Sequence, residues 1–529
     1  MSDIHDTRGG GPAGFDRREF LSGTALFGAL AATAPGLLGS LPAFAQETPK
    51  SGGTLRQGMS GGATTDSLDP QTFTDWVPTN IAYQVMNGLV EIDAANQATP
   101  ELLESWEAKP GAVEWIFNVR QGVTFHNGKT LDADDIIYSI NLHRGDNTKS
   151  AAKAVLADIV EVKKLGPSQI GITLTSGNAD LPYILSDYHL MVVPNGFTDW
   201  AKPIGTGGYA LEVFEPGVRA ITKKQGSYWK AGCAFVDSIE TIVINDTTAR
   251  TNALISGQVD VINRLDGRTV GLLSKSNLLH TVRSQAGQHA VLVMNTTMEP
   301  FKNNDVRLAL KYAVDRQKII DTVLKGNGMI GNDQPIPKTN PYYNAELPQH
   351  TLDPDKAKFH LKKAGMEGLK VALAVSEAAF TGATDTGVLY QASAKECGID
   401  LEVKREPADG YWDNVWMKAP FCASYWGGRP TADQMLSIAY KSDAKWNDSF
   451  WQSGPFDKLL IEARAELDQG KRKEMYGEMQ KMIWEDGGVV IPMFIDYIDA
   501  ASNKVKGMKP HPMFDFMGQR LGEKVWLEG

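Results

Sequence analysis

Apolar and polar residues alternate from Val113 to Val119, with Val113, Trp115, Phe117 and Val119 on one face. That period of two predicts a half-buried strand. Arg120-Gln121-Gly122 and His126-Asn127-Gly128 then supply turn chemistry on either side of a short apolar piece. Asp132-Ala133-Asp134-Asp135-Ile136-Ile137-Tyr138 follows with acidic residues where a helix should open. Elsewhere the spacing is helical: Val306, Leu310, Ala313, Ile320 and Leu324 recur on one stripe, as do Phe456, Leu459, Ala463 and Leu467, then Met475, Met479 and Met482. These stripes read as core faces, the methionines included, since Met at this spacing fills packing gaps. Asp353-Pro354 starts a further helix that Gly365 stops. Strand-like and helix-like segments alternate along the whole chain, which predicts α/β lobes, and no internal repeat or low-complexity tract interrupts them.

The N-terminus departs from this pattern. Asp16-Arg17-Arg18-Glu19-Phe20-Leu21 precedes a Gly- and Ala-rich apolar run from Gly23 to Leu41, and Ala43-Phe44-Ala45 closes it. The segment resembles a twin-arginine export signal cut before Gln46, so residues 1–45 stand apart from the fold. No Cys follows the cut, which disfavours a lipid anchor, and no other stretch reaches the roughly 18 apolar residues of a membrane span. A soluble periplasmic protein is the expectation. At 529 residues, 42% hydrophobic and 22% charged, the chain exceeds what one core supports, so two or more lobes are expected. Net charge −10 argues against nucleic acid or anionic lipid as partner. Cys233, Cys397 and Cys422 are widely spaced without a CxxC, so one long-range disulfide is open but its pair is not readable.

No catalytic constellation stands out: the chain lacks GxSxG, HExxH and a phosphate-cradling GxxxxGK[ST]. His126 sits in a turn, and His143, His189, His289, His350 and His360 have no ligand partner at helical spacing. No metal, no cofactor and no enzyme activity are expected.

As a string, Trp115–Lys129 (WIFNVRQGVTFHNGK) resembles the signature of the family 5 extracytoplasmic solute-binding proteins, the dipeptide, oligopeptide and nickel receptors of bacterial ABC importers. Other segments agree in order: Leu68-Asp69-Pro70, then Asn87-Gly88-Leu89-Val90; Pro203-Ile204-Gly205-Thr206-Gly207-Gly208-Tyr209 with Tyr228-Trp229; Asn295, Pro300-Phe301 and the run from Asp305 to Arg316; and Asp353 to Lys358. The likeness spans residues 52 to 525. It implies a two-lobed periplasmic binding-protein fold (type II-like, cluster C) with an inserted subdomain and a hinge. The first lobe would comprise 46–90, 201–285 and 488–529, the insert 91–200 and the second lobe 286–487, with crossovers near Gln288 and Val490. It also implies a receptor, expected to be monomeric, that closes on a small solute or short peptide and delivers it to an inner-membrane permease.

The segment Ala423-Ser424-Tyr425-Trp426-Gly427-Gly428-Arg429-Pro430-Thr431-Ala432-Asp433 resembles the ligand loop of the peptide receptors. Where those receptors carry an aspartate for the peptide ammonium, this chain has Arg429. A guanidinium repels an ammonium and grips a carboxylate, sulfonate or phosphate. The receptors' carboxylate-binding arginine falls in Thr384-Asp385-Thr386-Gly387-Val388, where Asp385 stands instead. The polarity of the site would then be reversed. The competing roles are an Arg429–Asp433 ion pair and a helix cap at Asp385. Among the nearby aromatics Tyr411, Trp412, Trp416, Tyr425 and Trp426, the expected ligand-facing ones are Trp426 and Tyr411, with Tyr425 beside them and Trp416 left to the core. By resemblance, Thr74, Asn263 (with Arg264 after it) and Tyr497 line the opposite wall. The expected ligand is a small polar, anionic or zwitterionic compound such as an opine-like conjugate, a sugar acid or a modified peptide. The rivals are an ordinary dipeptide receptor using Asp433, a cofactor enzyme, and a nickel or haem receptor.

Overall fold

The computed structural model describes residues 48–528 except 147 and 227, so the export signal lies outside the described residues. Two large sheets organise the chain. The seven-stranded sheet runs in the order Leu279–Ser284, Tyr497–Ser502, Val261–Ile262, Thr54–Met59, Ser238–Val243, Arg219–Lys224, Tyr209–Glu215. Its central strand, Thr54–Met59, pairs in parallel on both sides. The six-stranded sheet runs Gly328–Ile330, Val489–Ile495, His289–Met294, Phe421–Trp426, Lys370–Val375, Asp400–Arg405. His289–Met294 is buried along its whole length, as a central strand covered on both faces must be. These sheets are the frameworks of a two-lobed, mixed α/β binding-protein fold.

A smaller antiparallel sheet, Leu103–Ala108, Glu114–Val119, Gln169–Leu174 and Ile159–Gly166, lies between the first pieces of the seven-stranded sheet in sequence. Here the alternation seen in sequence becomes burial: Trp115, Phe117 and Val119 are inside while Glu114 is exposed. The acidic opening after it is a capping box, in which Asp132 accepts from the Asp135 amide and Asp135 accepts from the Asp132 amide at the start of Ala133–Asn141. A buried charge network joins this subdomain to the first lobe. Arg520 grips Glu101 through both terminal nitrogens (2.6 and 2.7 Å), and Lys230 adds a contact of 2.9 Å. Burial alone would raise the Glu101 pKa, but the Arg520 and Lys230 charges overcome it and hold the carboxyl below its ordinary value.

The chain passes between the large sheets twice, through 285–288 and at Asp496. The second passage falls later than the 487/488 limit expected from sequence. Val489–Ile495 is apolar on both faces and wedges between His289–Met294 and Gly328–Ile330, so it belongs to the second sheet. Arg283 and Asp496 form an ion pair that ties the two passages together. Two helical readings also need correction. The stripe from Val306 to Leu324 is two helices, Asn304–Tyr312 and Arg316–Val323, because Asp315 caps the second by accepting from the Lys318 amide. Leu467 is 39% exposed rather than core, since its helix ends at Ala465. By contrast, Asp353 caps Pro354–Ala364 and Gly365 ends it in the left-handed region at φ 67°.

All three cysteines are free thiols, and burial pushes Cys422 up to about 12 and Cys233 and Cys397 up to about 11. Among the described residues no helix is long and apolar enough to cross a membrane, and no three His, Cys, Asp or Glu side chains group as metal ligands.

Candidate functional site

Strand Phe421–Trp426 runs antiparallel to His289–Met294 with Trp426 opposite His289, so its end lies beside the first crossover. The loop that follows touches that crossover backbone to backbone. A Cβ on Gly287 would stand 3.0 Å from the Gly428 Cα, and one on Gly428 would stand 3.1 Å from the Gly287 Cα. Thr431 then caps Ala432–Ala439 by accepting from the Gln434 amide. Arg429, held between these fixed ends, is half-buried.

Its Nη1 donates only to its own loop, to the carbonyls of Gly427 (3.3 Å) and Gly428 (3.2 Å). Among the described residues no carboxylate lies within ion-pair distance of it. Burial lowers its pKa, and the groups that oppose this are the phenols of Tyr188, Tyr497 and Tyr425 and the carboxylate of Asp187. Asp187 is already bonded to His189 Nδ1 at 2.6 Å. The guanidinium is thus within electrostatic reach of groups of both lobes, with no full counter-charge among the described residues.

Across from it stands an aromatic wall. The ring centroids of Trp76 and Phe514 are 4.3 Å apart, Trp76 and Tyr188 5.5 Å, and Tyr188 and Phe514 6.3 Å. The Arg264 guanidinium lies 5.6 Å above Trp76 and donates from Nε to Asp515 at 3.0 Å. On the second lobe Tyr425 meets Trp412 at 5.8 Å, and both are about two-fifths exposed (42% and 38%). A guest bearing an acidic group and an apolar body would find a cation, phenol hydroxyls and ring faces here.

Not every residue expected at the site reaches it. Tyr411 is buried in the second lobe's core, its hydroxyl donating to the Ala423 carbonyl at 2.8 Å. Trp426 is 6% exposed and packs inward near Trp446; neighbouring residues of a strand face opposite sides, so Tyr425 is the outward member of that pair. Asp433 is buried and bound to Arg464 Nε at 3.1 and 3.2 Å, so it neither pairs with Arg429 nor stands free for an ammonium. Burial pushes its pKa up to about 6 against the pull of Arg464. Asn263 spends both ends of its amide on structure, accepting from the Ser60 amide and donating to Asp515. Asp385 is exposed in the first turn of Ala383–Glu396, whose amides at Gly382 and Thr384 are taken by Glu377 instead. Thr74 is exposed just before the helix that carries Trp76.

Arg429, Tyr425 and Tyr497 are the expected residues that share one neighbourhood. Tyr188, Trp76, Phe514 and Arg264 complete it. Only Arg264 had a sequence signal, standing next to Asn263. Behind the loop, Trp416 donates from Nε1 to Asp448 at 3.1 Å, and burial pushes the Asp448 pKa up to about 7. Two cavities lie elsewhere: one of about 320 Å³ beside the crossovers, lined by Arg283, Gln285 and His511, and one of about 660 Å³ lined by His126, Trp200 and Lys202.

Two α/β lobes joined by paired crossovers, with a half-buried cation and an aromatic wall meeting at the join, define a solute receptor of the periplasmic binding-protein class. Residues 97–448 match the model of the bacterial extracellular solute-binding proteins, family 5, and the chain belongs to that family. Its members are substrate-binding proteins of ABC importers. The glutathione-binding protein GsiB of Pectobacterium atrosepticum is 24% identical over 483 residues, covering 87% of this chain and 93% of the relative. Among solved structures, HbpA2 from Haemophilus parasuis superposes with a TM-score of 0.81 at 22% identity, over 90% of this chain and 100% of that one. AgaA from A.tumefacien R10, in complex with agropinic acid, gives 0.71 at 25% identity, over 90% and 99%.

Proposed function

We propose that the protein captures a small polar organic solute bearing an acidic group, anionic or zwitterionic, of the kind represented by opine-like conjugates and modified peptides. The observation that carries this reading is Arg429: a half-buried guanidinium at the lobe boundary whose hydrogen bonds, among the described residues, go only to its own loop carbonyls. Leaving such a charge uncompensated in a closed gap is costly, and an anionic guest removes that cost. Asp433, the alternative anchor for a free ammonium, is committed to Arg464. That AgaA was solved with agropinic acid and that GsiB is named for glutathione support an acidic guest.

Capture proceeds by hinge bending at 285–288 and Asp496, ligand contacts from both lobes stabilising the closed form that an inner-membrane ABC permease receives. The division we adopt is 46–90, 201–285 and 497–529 for the first lobe, 91–200 for the insert and 286–495 for the second. The receptor reaches the periplasm by the twin-arginine route, is cut near Ala45 and acts as a monomer without cofactor or turnover. Calorimetry with unmodified dipeptides and with amine-blocked, acid-conjugated counterparts tests the reading. The conjugates should bind and the plain dipeptides should not, and Arg429→Ala should cost at least ~2 kcal/mol of affinity. Tight binding of unmodified dipeptides, or an unchanged Kd in Arg429→Ala, defeats it.

A further inference from the structure

The inserted subdomain touches the second lobe at a place remote in sequence from the ligand loop. Asp180 of the insert lies 2.8 Å from Arg472 of helix Gln469–Asp486, and the two side chains are 2% and 1% exposed. Their surroundings are unequal. Arg472 is held by its own lobe: Nε donates to the Ala463 carbonyl, Nη1 to the Tyr342 hydroxyl and Nη2 to the Tyr476 hydroxyl, with both rings against the guanidinium. Asp180 precedes helix Leu181–Ile184 without capping it, and neither carboxylate oxygen accepts a hydrogen bond from the described residues of the insert. A buried carboxylate with no partner at home is out of place in a structural role, because the insert alone would gain nothing from it.

The contact extends on both sides of the pair. The Ala179 amide donates to the Arg464 carbonyl at 2.7 Å, and Gly177 lies so close to Ala465 that a Cβ there would stand 2.9 Å from the Ala465 Cβ. Arg464 in turn holds Asp433 and donates to Ser437 at 2.6 Å, both on the helix that follows the ligand loop. Asn96 of the insert donates to the Pro430 carbonyl, next to Arg429, at 3.2 Å. One continuous set of contacts thus runs from Asp180 to the loop.

We propose that Asp180 is a positioning residue for solute capture: it docks the inserted subdomain onto Arg472 only when the lobes are closed, and through Arg464 and Asp433 that docking fixes the loop carrying Arg429. It rests on the closure step of the reading above, not on the acidity of the guest. The physics is asymmetric. On opening, Asp180 passes into water and Arg472 keeps its tyrosines. In a closed form lacking the carboxylate, the Arg472 charge stays buried without a counter-ion, so closure is opposed.

Hydrogen exchange on the full, ligand-free protein tests this, because the docked pair holds the ligand-free equilibrium largely closed and the solute then completes the closure. Asp180→Asn should exchange at least tenfold faster than wild type across 174–184, 427–433 and 460–476, with Glu114–Val119 unchanged. Small-angle scattering should show a larger radius of gyration. Unchanged exchange at the docking segments overturns the proposal. So does acceleration spread evenly over Glu114–Val119, which marks a merely structural residue. Should Asp180→Asn not fold, Asp180→Ala serves with the same outcomes, since it strands no polar group in the insert. Arg429→Ala should leave exchange at 174–184 unchanged. If the acid-bearing conjugates fail to bind while Asp180→Asn still opens the protein, the guest assignment falls and the docking role stands.

Discussion

The second lobe presents two arginines to the first, and they are built in opposite ways. Arg472 has every nitrogen engaged, two tyrosine rings on its faces and a buried carboxylate from the other lobe. Arg429, at the same boundary, has two long hydrogen bonds to its own loop and no ion pair among the described residues. A charge satisfied on all sides holds protein to protein, whereas one left short of partners is available to a guest. Arg472 is fully buried and Arg429 half-buried, so the two cations differ both in exposure and in what surrounds them.

The sharpest way to break this contrast is to remove each cation in turn. Arg472→Met removes the counter-ion of Asp180 and the donor to the Tyr342 and Tyr476 hydroxyls, while Tyr342 keeps its bond to Gln469. Asp180 can pass into water by opening, so the cost in urea unfolding at neutral pH should be about 1–3 kcal/mol, that of hydroxyls left short of a partner in the second lobe. Arg429→Met should change the same midpoint by no more than about 0.5 kcal/mol, as for a site that stabilises little. Equal losses at the two positions would erase the distinction drawn here.

Two buried carboxylates of the second lobe, Asp433 and Asp448, are separated by pH. Burial pushes Asp433 up to about 6 against the pull of Arg464; Asp448 has no cationic partner among the described residues, and burial pushes it up to about 7. Both folded values exceed the ordinary one, so the native state binds more protons than the unfolded chain above about pH 4. The associated stability is full below the unfolded pKa and is lost as pH rises through the folded one. Asp448→Asn keeps an acceptor for Trp416 and removes the ionisation. The variant should therefore gain on wild type as pH rises from about 4 to about 7, by up to about 4 kcal/mol in all. The opposite slope belongs to Asp333, which Arg316 holds below its ordinary value against burial, and which loses stability as pH falls. A pH-independent difference between Asp448→Asn and wild type would assign Asp448 to its Trp416 bond alone.

The same contrast explains what the chain reveals before any coordinates. Local chemistry was legible: the Asp132 capping box, the Asp353 start and Gly365 stop, and the buried parity of Trp115 and Phe117 each depend on neighbours a few residues away. Arg429 was legible as a departure from a motif. The residues opposite it were not, because Tyr188, Trp76 and Phe514 meet only after the chain has folded across hundreds of residues. Strand parity turns Trp426 inward and Tyr425 outward, and Tyr411 and Asp433, near the loop in sequence, also turn inward. The limit at 487/488 failed because a fully apolar strand reads the same in either lobe.

The smallest expected effect tests whether the crossover sets the position of the loop. Gly287 needs no unusual backbone; it is required because Gly428 lies against it. A Cβ there would meet the Gly428 Cα at 3.0 Å and Pro337 Cγ at 3.5 Å, so backbone must shift by a few tenths of an ångström. Gly477, one turn beyond Arg472, offers the control: a Cβ there meets only Asn344 Nδ2 at 3.5 Å, an ordinary contact. Gly477→Ala should be neutral or stabilising by up to ~1 kcal/mol through helix propensity. Gly287→Ala should weaken solute binding by roughly 1 kcal/mol, about fivefold in Kd, through overpacking at the loop. If both substitutions leave affinity untouched, the loop is placed by its own strand and helix, and the contact with the hinge is incidental to capture.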